Sequence, residues 1–315
     1  MPALLSPAGS LGAVSAALDA GADAVYVGLA GWSRGGARRE LTWDELAVAH
    51  RQVASAGREL QIALNTIPKA AERARLFDQI ALLRDRGIRN VIVNDVGILT
   101  DLKRRFSDLA LTASIGCGAQ TVSDVAFFRD LGADAVVLPA TVSPAEVREI
   151  RTVRGIRVEI MIHMVEEFVL LGKCWMPSYV HWKPTPFGAA SPPEVSDAGD
   201  APEGVLSGQR LTGSMKRGGV GACFRICQQP WELYDSGRLE GSRLFPSRQI
   251  SRIADVGPYA EAGVDVLKLQ GRSLPAQLLA PLVRSYREAI DGRTAPAAEQ
   301  AWPAQLPAAW AVVGR

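Results

Sequence analysis

The chain has 315 residues, of which 48% are hydrophobic and 22% charged, a composition typical of a globular protein with enough chain for a sizeable core. Its 35 lysines and arginines nearly balance 33 aspartates and glutamates, so the net charge of +2 disfavours a dedicated nucleic-acid-binding protein. No apolar stretch reaches the roughly 18 residues that cross a bilayer. The amino terminus also lacks the pattern of a signal peptide, and we expect a cytoplasmic protein without a membrane span.

A short repeat organises the chain. Gly21–Val25 recurs as Gly132–Val136 and as Gly263–Leu267, with a weaker copy at Gly87–Val91. In each copy a glycine follows a helical pattern, where a left-handed cap is easiest without a Cβ atom. An aliphatic run typical of a buried parallel strand follows at once. The repeated unit is therefore a helix, a tight turn and a buried strand.

Extending this reading along the chain predicts eight strands that alternate with eight helices. The predicted strands are Ala3–Pro7, Ala24–Leu29, Gln61–Thr66, Asn90–Asp95, Leu109–Ile115, Ala135–Ala140, Arg157–His163 and Val266–Gly271. The predicted helices are Leu11–Ala20, Asp44–Ala56, Ala70–Asp85, Ile98–Arg105, Val122–Leu131, Pro144–Val153, Gln249–Ala262 and Ala276–Ile290. This alternation favours an α/β protein with a TIM-type (β/α)8 barrel, and a doubly wound sheet is the alternative. We assign residues 1–292 to this single domain and 293–315 to a C-terminal tail.

One connection between a strand and a helix is much longer than the others. Residues 164–248 separate the seventh strand from the next helix, whereas such loops usually have roughly 2–6 residues. Within this insertion, residues 183–221 are rich in Pro, Gly, Ser and Asp, which predicts a mobile excursion or lid. In a barrel the insertion lies at the carboxyl-end face, where active sites are built.

The four cysteines are candidate metal ligands. They are Cys117, Cys174, Cys223 and Cys227, and three of them fall in the insertion. Cys117 follows the fifth strand and is expected at the same face of the barrel. Four thiolates suit an iron–sulfur cluster or a structural zinc, and the Cys-x-x-x-Cys spacing favours iron–sulfur. For Cys117 the alternative is the simple packing of a buried thiol.

Polar residues near the predicted strand ends are candidate catalytic groups. Glu159 and His163 are four apart on the seventh strand and are predicted to point the same way. His163 is then either a proton donor or a hydrogen-bonded core histidine. Glu159 needs a partner if it is buried, and Lys268 on the eighth strand is the expected one. Arg272 is placed to bind an anionic substrate or a loop acid. Two weaker candidates that end the third and fourth strands are Asn65 and Asp95.

The motifs together resemble those of the collagenase-like peptidase family, peptidase family U32. The matching segments are Leu4–Ser10, Gly21–Gly28, Ala63–Thr66, Glu159–His163, Gly172–Cys174, Gly221–Cys227 and Ala262–Arg272. This resemblance implies an oxygen-independent hydroxylation protein with a 4Fe–4S cluster bound by four cysteines. Such proteins act on ubiquinone precursors, on tRNA uridine or on rRNA cytidine, and prephenate is implicated as the oxygen donor.

Within the family, the chain most resembles the paired ubiquinone-biosynthesis proteins UbiU and UbiV. The three cysteines of the insertion match the UbiV-like spacing, but Trp32 stands where that pattern has its fourth cysteine. Glu167 stands where the UbiU-like pattern has one. The resemblance therefore implies either that Cys117 is the fourth ligand or that one iron is open to substrate.

We therefore predict an iron–sulfur enzyme of oxidoreductase type that supports oxygen-independent hydroxylation of a small aromatic or quinone-precursor ring. The alternatives are hydroxylation of a tRNA or rRNA base, a genuine peptidase, and a non-catalytic, cluster-bearing subunit of a heterodimer. Expected partners are a small anionic or aromatic substrate and a second copy of this chain or a relative. The sequence has no His-Glu-x-x-His motif, which disfavours a zinc peptidase.

Overall fold

The computed structural model describes residues 1–33, 40–68, 70–165, 204–206, 209–211, 230–235, 238–244 and 249–293. Its strands are β1 (Ala3–Ala8), β2 (Ala24–Gly28), β3 (Glu59–Leu64), β4 (Asn90–Val93), β5 (Ala110–Ala113), β6 (Ala135–Leu138), β7 (Arg157–Val165), β8 (Gly204–Leu206), β9 (Gln209–Leu211), β10 (Pro230–Asp235), β11 (Arg238–Leu244), β12 (Gln249–Ser251) and β13 (Val266–Leu269).

Eight of these strands close into a parallel barrel. Strands β1 to β6 each pair with the next strand in the chain, and β13 pairs with both β7 and β1. The TIM-type barrel predicted from the sequence is thereby confirmed. The doubly wound alternative is wrong, because such a sheet keeps two open edges and this one has closed on itself.

Helices cover the outside of the barrel. They are α1 (Leu11–Asp19), α2 (Trp43–Ser55), α3 (Arg73–Asp85), α4 (Val96–Arg105), α5 (Val122–Asp130), α6 (Pro144–Ile150), α7 (Val256–Glu261) and α8 (Ala276–Ile290). Reciprocal capping boxes start three of them, at Thr42, Thr121 and Ser143. Alternate strand residues pack outward against the helices, and the others fill the barrel lumen with small and aromatic side chains such as Ala63 and Tyr26.

The repeated aspartate locks neighbouring strands together at the amino end of the barrel. In each strong copy of the repeat, the aspartate amide donates to a carbonyl of the adjacent strand, and its carboxylate accepts from the amide of that same residue. The pairs are Asp23 with Leu4, Asp134 with Leu111 and Asp265 with Val158, with carboxylate distances of 2.7 to 2.9 Å. Each carboxylate also pairs with a basic side chain. The repeat therefore has a structural role, away from the carboxyl-end face.

The predicted helix Gln249–Ala262 is wrong at its start. Gln249–Ser251 instead forms β12, which pairs antiparallel with the end of β7, and the helix occupies only Val256–Glu261. The reason is tertiary: β7 has nine residues, whereas its barrel neighbours β6 and β13 have four each. The overhanging end of β7 offers unpaired backbone groups that β12 satisfies.

Most of the insertion lies outside the described residues. Within 164–248 the structure describes the last residues of β7 and two antiparallel strand pairs, β8 with β9 and β10 with β11. The predicted excursion 183–221 lies largely outside the described residues, so the assignments of the insertion, the domain and the tail stay predictions. Across the part of the chain that is described, no helix has the length and apolarity of a membrane span.

We predict that Asp134→Ala lowers the free energy of unfolding by about 1–3 kcal/mol, because it leaves the Leu111 amide without its side-chain acceptor and frees Lys103. Urea denaturation measures this. The matched control is Asp130→Ala, which removes a carboxylate that is 68% exposed and is expected to change stability by no more than about 0.5 kcal/mol. Equal losses in the two variants would contradict the structural role of Asp134.

Candidate functional site at the barrel mouth

A buried ion pair lies inside the barrel. Lys268 Nζ on β13 donates to Glu159 Oε2 on β7 at 2.9 Å, and their side chains are 5% and 0% exposed. This confirms the pairing expected from the sequence. Lys268 Nζ also lies 5.1 Å from the ring centroid of Tyr26, whose hydroxyl donates to the Leu269 carbonyl. Glu159 Oε1 has no hydrogen-bond partner among the described residues.

Arg272 lies above this pair and is held by a hydrogen-bonded chain. Its Nη1 donates to Ser33 Oγ at 2.8 Å, and Ser33 Oγ donates to Glu40 Oε1 at 2.8 Å. The buried Glu40 carboxylate also accepts from the amides of Gly31 and Ser33. Arg272 therefore contacts a loop acid through a neutral hydroxyl. Sequence reasoning missed Glu40 and Ser33, because only folding brings them to Arg272.

Gly28, the last residue of β2, makes room for this contact. A Cβ atom there would lie 2.2 Å from Ser33 Oγ and 2.7 Å from Arg272 Nη1. The glycine is needed here for close approach, since its backbone is not in the left-handed region. Arg272 also lies 5.9 Å from the Tyr26 ring, so it shares that ring with Lys268. We call the group of Tyr26, Ser33, Glu40, Glu159, Lys268 and Arg272 the mouth cluster.

The prediction that His163 points the same way as Glu159 is wrong. The register between β7 and β13 shifts by one residue, with Lys268 opposite Met161 and Leu269 opposite His163. This bulge reverses the expected alternation. His163 Nδ1 instead lies 3.2 Å from the Tyr286 hydroxyl on α8, outside the barrel lumen.

His163 is accordingly poorly suited to donate protons at neutral pH. Burial lowers the pKa of its imidazole from 6.5 to about 4, so the ring is neutral in the folded protein. The Tyr286 hydroxyl that it contacts also donates to the Ile162 carbonyl and lies 3.0 Å from Ser251 Oγ. The geometry matches the core-histidine alternative. A catalytic role for His163 stays an untested prediction.

The two weaker candidates differ in their surroundings. Asp95 Oδ1 accepts from the Ile98 amide at 2.8 Å and caps α4, which gives it a structural task. Asn65 is buried just beyond β3, at the carboxyl-end face. Other buried polar residues also follow strands at this end, namely Thr66, Asn94 and Ser114.

Among the cysteines, Cys117 alone lies within the described residues. It belongs to a short 3-10 turn (Ile115–Cys117) after β5 and packs in the hydrophobic cluster. Its Sγ donates to the Val93 carbonyl at 3.5 Å. This environment is compatible with the packed thiol that the sequence offered as the alternative.

The placement of the other three candidate metal ligands is not described. Cys174, Cys223 and Cys227 are outside the described residues. In the described part of the chain, no group of three or more His, Cys, Asp or Glu side chains is arranged to hold a metal. The ligand role of all four cysteines therefore stays a prediction.

Comparison with known proteins shows which family and which individual proteins the chain is similar to. A family model described as Peptidase family U32 matches residues 9–193 and 203–310. A tRNA hydroxylation protein of Escherichia coli is 25% identical over 314 residues, which cover 93% of this chain and 69% of that protein. One of Bacillus subtilis is 24% identical over 299 residues, covering 92% and 63%. An Escherichia coli 23S rRNA 5-hydroxycytidine synthase is 26% identical over 294 residues, covering 91% and 39%.

All three relatives are named for the hydroxylation of RNA. Their names agree with the hydroxylation that the sequence motifs imply. The chain spans between 39% and 69% of the lengths of these relatives.

We predict that Lys268→Met lowers the free energy of unfolding by about 3–5 kcal/mol, because it leaves the buried Glu159 carboxylate without its ammonium partner. The double variant Glu159→Leu with Lys268→Met should recover most of that loss, since it removes both charges. A double-mutant cycle from urea denaturation measures the coupling. Additive losses would contradict a coupled pair.

The lowered pKa of His163 also predicts a pH dependence. The unfolded chain takes up a proton near pH 6.5, whereas the native imidazole takes one up only near pH 4. The free energy of unfolding should therefore fall as the pH falls from about 6.5 to about 4, by up to about 3 kcal/mol from this residue. Urea denaturation across this range should show a shallower pH slope for His163→Gln than for the wild type.

The matched control for this slope is Tyr286→Phe, which keeps the imidazole and removes its hydroxyl partner. This variant should retain the steep slope, because burial is the cause of the shift. A His163→Gln protein with the wild-type slope would contradict the assignment of the titration to His163.

Proposed function

This chain belongs to peptidase family U32, and on that premise we propose that it supports the oxygen-independent hydroxylation of a base in structured RNA. The observation that carries the proposal is the mouth cluster, in which Lys268 and Arg272 both contact the Tyr26 ring toward the end of the barrel where barrel enzymes react. The similarity to the tRNA hydroxylation protein of Escherichia coli supports the proposal, because the alignment covers 93% of this chain.

In this proposal Arg272 binds the anionic oxygen donor. Its guanidinium donates to the Ser33 hydroxyl, which in turn donates to the Glu40 carboxylate. A forked guanidinium can bind a carboxylate in two parallel hydrogen bonds. A dicarboxylate such as prephenate fits this chemistry. Glu159 compensates the charge of Lys268, so we assign Lys268 to orienting the donor rather than to supplying net charge.

The proposed cofactor is a 4Fe–4S cluster held by Cys174, Cys223 and Cys227. When bound, such a cluster supplies electron transfer or an iron that coordinates the oxygen donor. Because Cys117 packs among buried apolar side chains, we propose three protein thiolates and one open iron. A structural zinc is the alternative occupant of these thiolates.

A second candidate substrate is a small aromatic or quinone-precursor ring. The near-zero net charge of +2 favours it, because a small neutral ring needs no basic surface for binding. In this case a related family member is the expected partner. This chain could then be a non-catalytic, cluster-bearing subunit of a heterodimer. In that case turnover appears only after this chain is mixed with its partner.

The experiment that tests the function is nucleoside analysis. The chain is expressed in bacteria that lack their own RNA hydroxylation proteins, and digests of tRNA and rRNA are analysed by mass spectrometry. We expect a pyrimidine nucleoside heavier by one oxygen atom, and Arg272→Ala should lower its yield by roughly tenfold or more, through loss of a charge-assisted hydrogen bond. The control is Arg284→Ala, which removes an exposed arginine on α8.

The other outcomes are distinct. No modified nucleoside, together with a hydroxylated quinone precursor, would overturn the RNA substrate in favour of the second candidate. Cleavage of a peptide without either product would revive the peptidase. In anaerobically purified protein we expect iron and sulfide in equal amounts, lost in Cys223→Ala and retained in Cys117→Ala. Zinc without sulfide would overturn the redox cofactor.

A further inference from the structure

Two buried oxygen atoms of the barrel lumen have no protein donor. They are Oε1 of Gln61 on β3 and Oε1 of Glu159 on β7, and neither has a hydrogen-bond partner among the residues that the structure describes. The two residues are 3% and 0% exposed. We propose that one bound water molecule donates to both oxygens and is a long-lived part of the lumen, at a position that we call the lumen site. This site depends on the closed barrel and not on the proposed function.

Gln61, Glu159 and Thr112 on β5 all point into the lumen. The residues directly before and after each of them belong to the hydrophobic cluster that the strands form with the surrounding helices. Successive side chains of a strand point to opposite faces of the sheet. The three polar side chains between these outward-facing neighbours therefore face the barrel axis.

The strand register places these three side chains in one layer of the lumen. In a TIM-type barrel each layer consists of four side chains from alternate strands. Each step around such a layer crosses two strand pairings and then moves two residues along the chain. These steps lead from Glu159 to Leu5, then to Gln61, then to Thr112, and back to Glu159. Gln61 and Glu159 therefore lie on opposite strands of one closed layer, and Thr112 lies between them.

Hydrogen bonds to other protein groups set the orientation of both side chains. Gln61 Nε2 donates to Glu59 Oε1 at 2.8 Å. Because an ionised carboxylate only accepts, the amide NH2 group must lie on that side and Oε1 on the other. Glu159 Oε2 likewise accepts from Lys268 Nζ at 2.9 Å. Each side chain therefore has one end bound by a protein group and an acceptor at its other end within the lumen.

The charges of the layer indicate a neutral ligand. Lys268 already neutralises Glu159, so a sodium or potassium ion at the lumen site would be a buried charge without compensation, which is strongly unfavourable. Two acceptors need two donors, and a single water molecule supplies both. Its oxygen can also accept from the Thr112 hydroxyl, which gives the roughly three hydrogen bonds that are typical of a buried water.

The lumen has space for a water molecule beside this layer. Thr112 is 7% exposed, whereas its strand neighbours Leu111 and Ala113 are 0% exposed. Since those neighbours face the helices, the exposed part of Thr112 adjoins a space on the lumen side. Ala24 and Ala135, which pair with residues of this layer from adjacent strands, are small and leave further room.

The next layer covers the lumen site on its mouth side. By the same register this layer consists of Lys268, Tyr26, Ile92 and Val137, which are between 1% and 6% exposed. A substrate that enters the mouth meets these side chains first. The donor to Gln61 and Glu159 is therefore a resident molecule and not a part of the substrate.

The first test is a high-resolution crystal structure of the wild-type chain. We expect electron density for one water oxygen within hydrogen-bonding distance of both Gln61 Oε1 and Glu159 Oε1. A lumen in which these oxygens have no ordered donor would overturn the proposal. Crystals soaked in rubidium chloride distinguish a cation from water, because an anomalous peak at the lumen site would overturn the neutral ligand. This test needs no variant, so it does not depend on the folding of one.

The second test counts long-lived water molecules in solution by oxygen-17 magnetic relaxation dispersion. Gln61→Met keeps the length of the side chain and removes both of its polar atoms, and we expect the loss of one long-lived water per chain. The matched control is Gln79→Met on α3, which also removes a buried carbonyl oxygen without a described partner, but outside the lumen. We expect the dispersion of this control to match that of the wild type.

The outcomes concern the lumen site alone, since neither experiment measures turnover. An unchanged dispersion in Gln61→Met would overturn the site, because its water would then not depend on the Gln61 carboxamide. An equal loss in Gln61→Met and Gln79→Met would also overturn it, because the missing water would not be specific to the lumen. Loss of the signal in Gln61→Met alone, together with the crystallographic water, supports the proposal.

Discussion

Closure of the barrel by β13 is the constraint on which the other features depend. This strand pairs with β7 on one side and with β1 on the other, so residues near both ends of the chain meet. Lys268 thereby reaches Glu159, and the Tyr26 hydroxyl reaches the Leu269 carbonyl. In an open sheet β13 would have one neighbour, and the lumen that holds the ion pair would not exist.

The polar residues at the two ends of the barrel have different roles. At the amino end, Asp23, Asp134 and Asp265 accept from backbone amides of adjacent strands and hold the register. At the carboxyl end, buried charges have a less obvious benefit for stability, because the cost of removing them from water offsets much of their attraction. The Glu159–Lys268 pair is then best explained by the position it gives to an ammonium group beside the Tyr26 ring. The same reasoning applies to Glu40, a buried carboxylate that fixes the loop carrying Ser33.

Predictions from the sequence failed where a contact overrode a local pattern. Period-two alternation placed His163 beside Glu159, but the bulge in β7 turned it toward Tyr286. The apolar pattern of Gln249–Ala262 predicted a helix throughout, but the free edge at the end of β7 recruited its first three residues into a strand. For His163 the cause is a register shift between β7 and β13, and for Gln249–Ser251 it is the unpaired backbone at the end of β7. Both depend on strand pairing between segments distant in sequence, which the local residue pattern does not encode.

The sequence by itself determined the repeated βα unit, the eight barrel strands and the ion pair between neighbouring strands. These depend on signals within one or two elements: glycine after a helix, an aliphatic run, and charged residues on strands that the fold makes adjacent. Only the tertiary structure decided the hydrogen-bonded chain from Arg272 through Ser33 to Glu40, whose first link joins residues 239 apart in sequence. The physical reason is that hydrophobic period and turn chemistry are local, whereas a site forms where side chains from distant strands and loops converge at one end of a closed barrel.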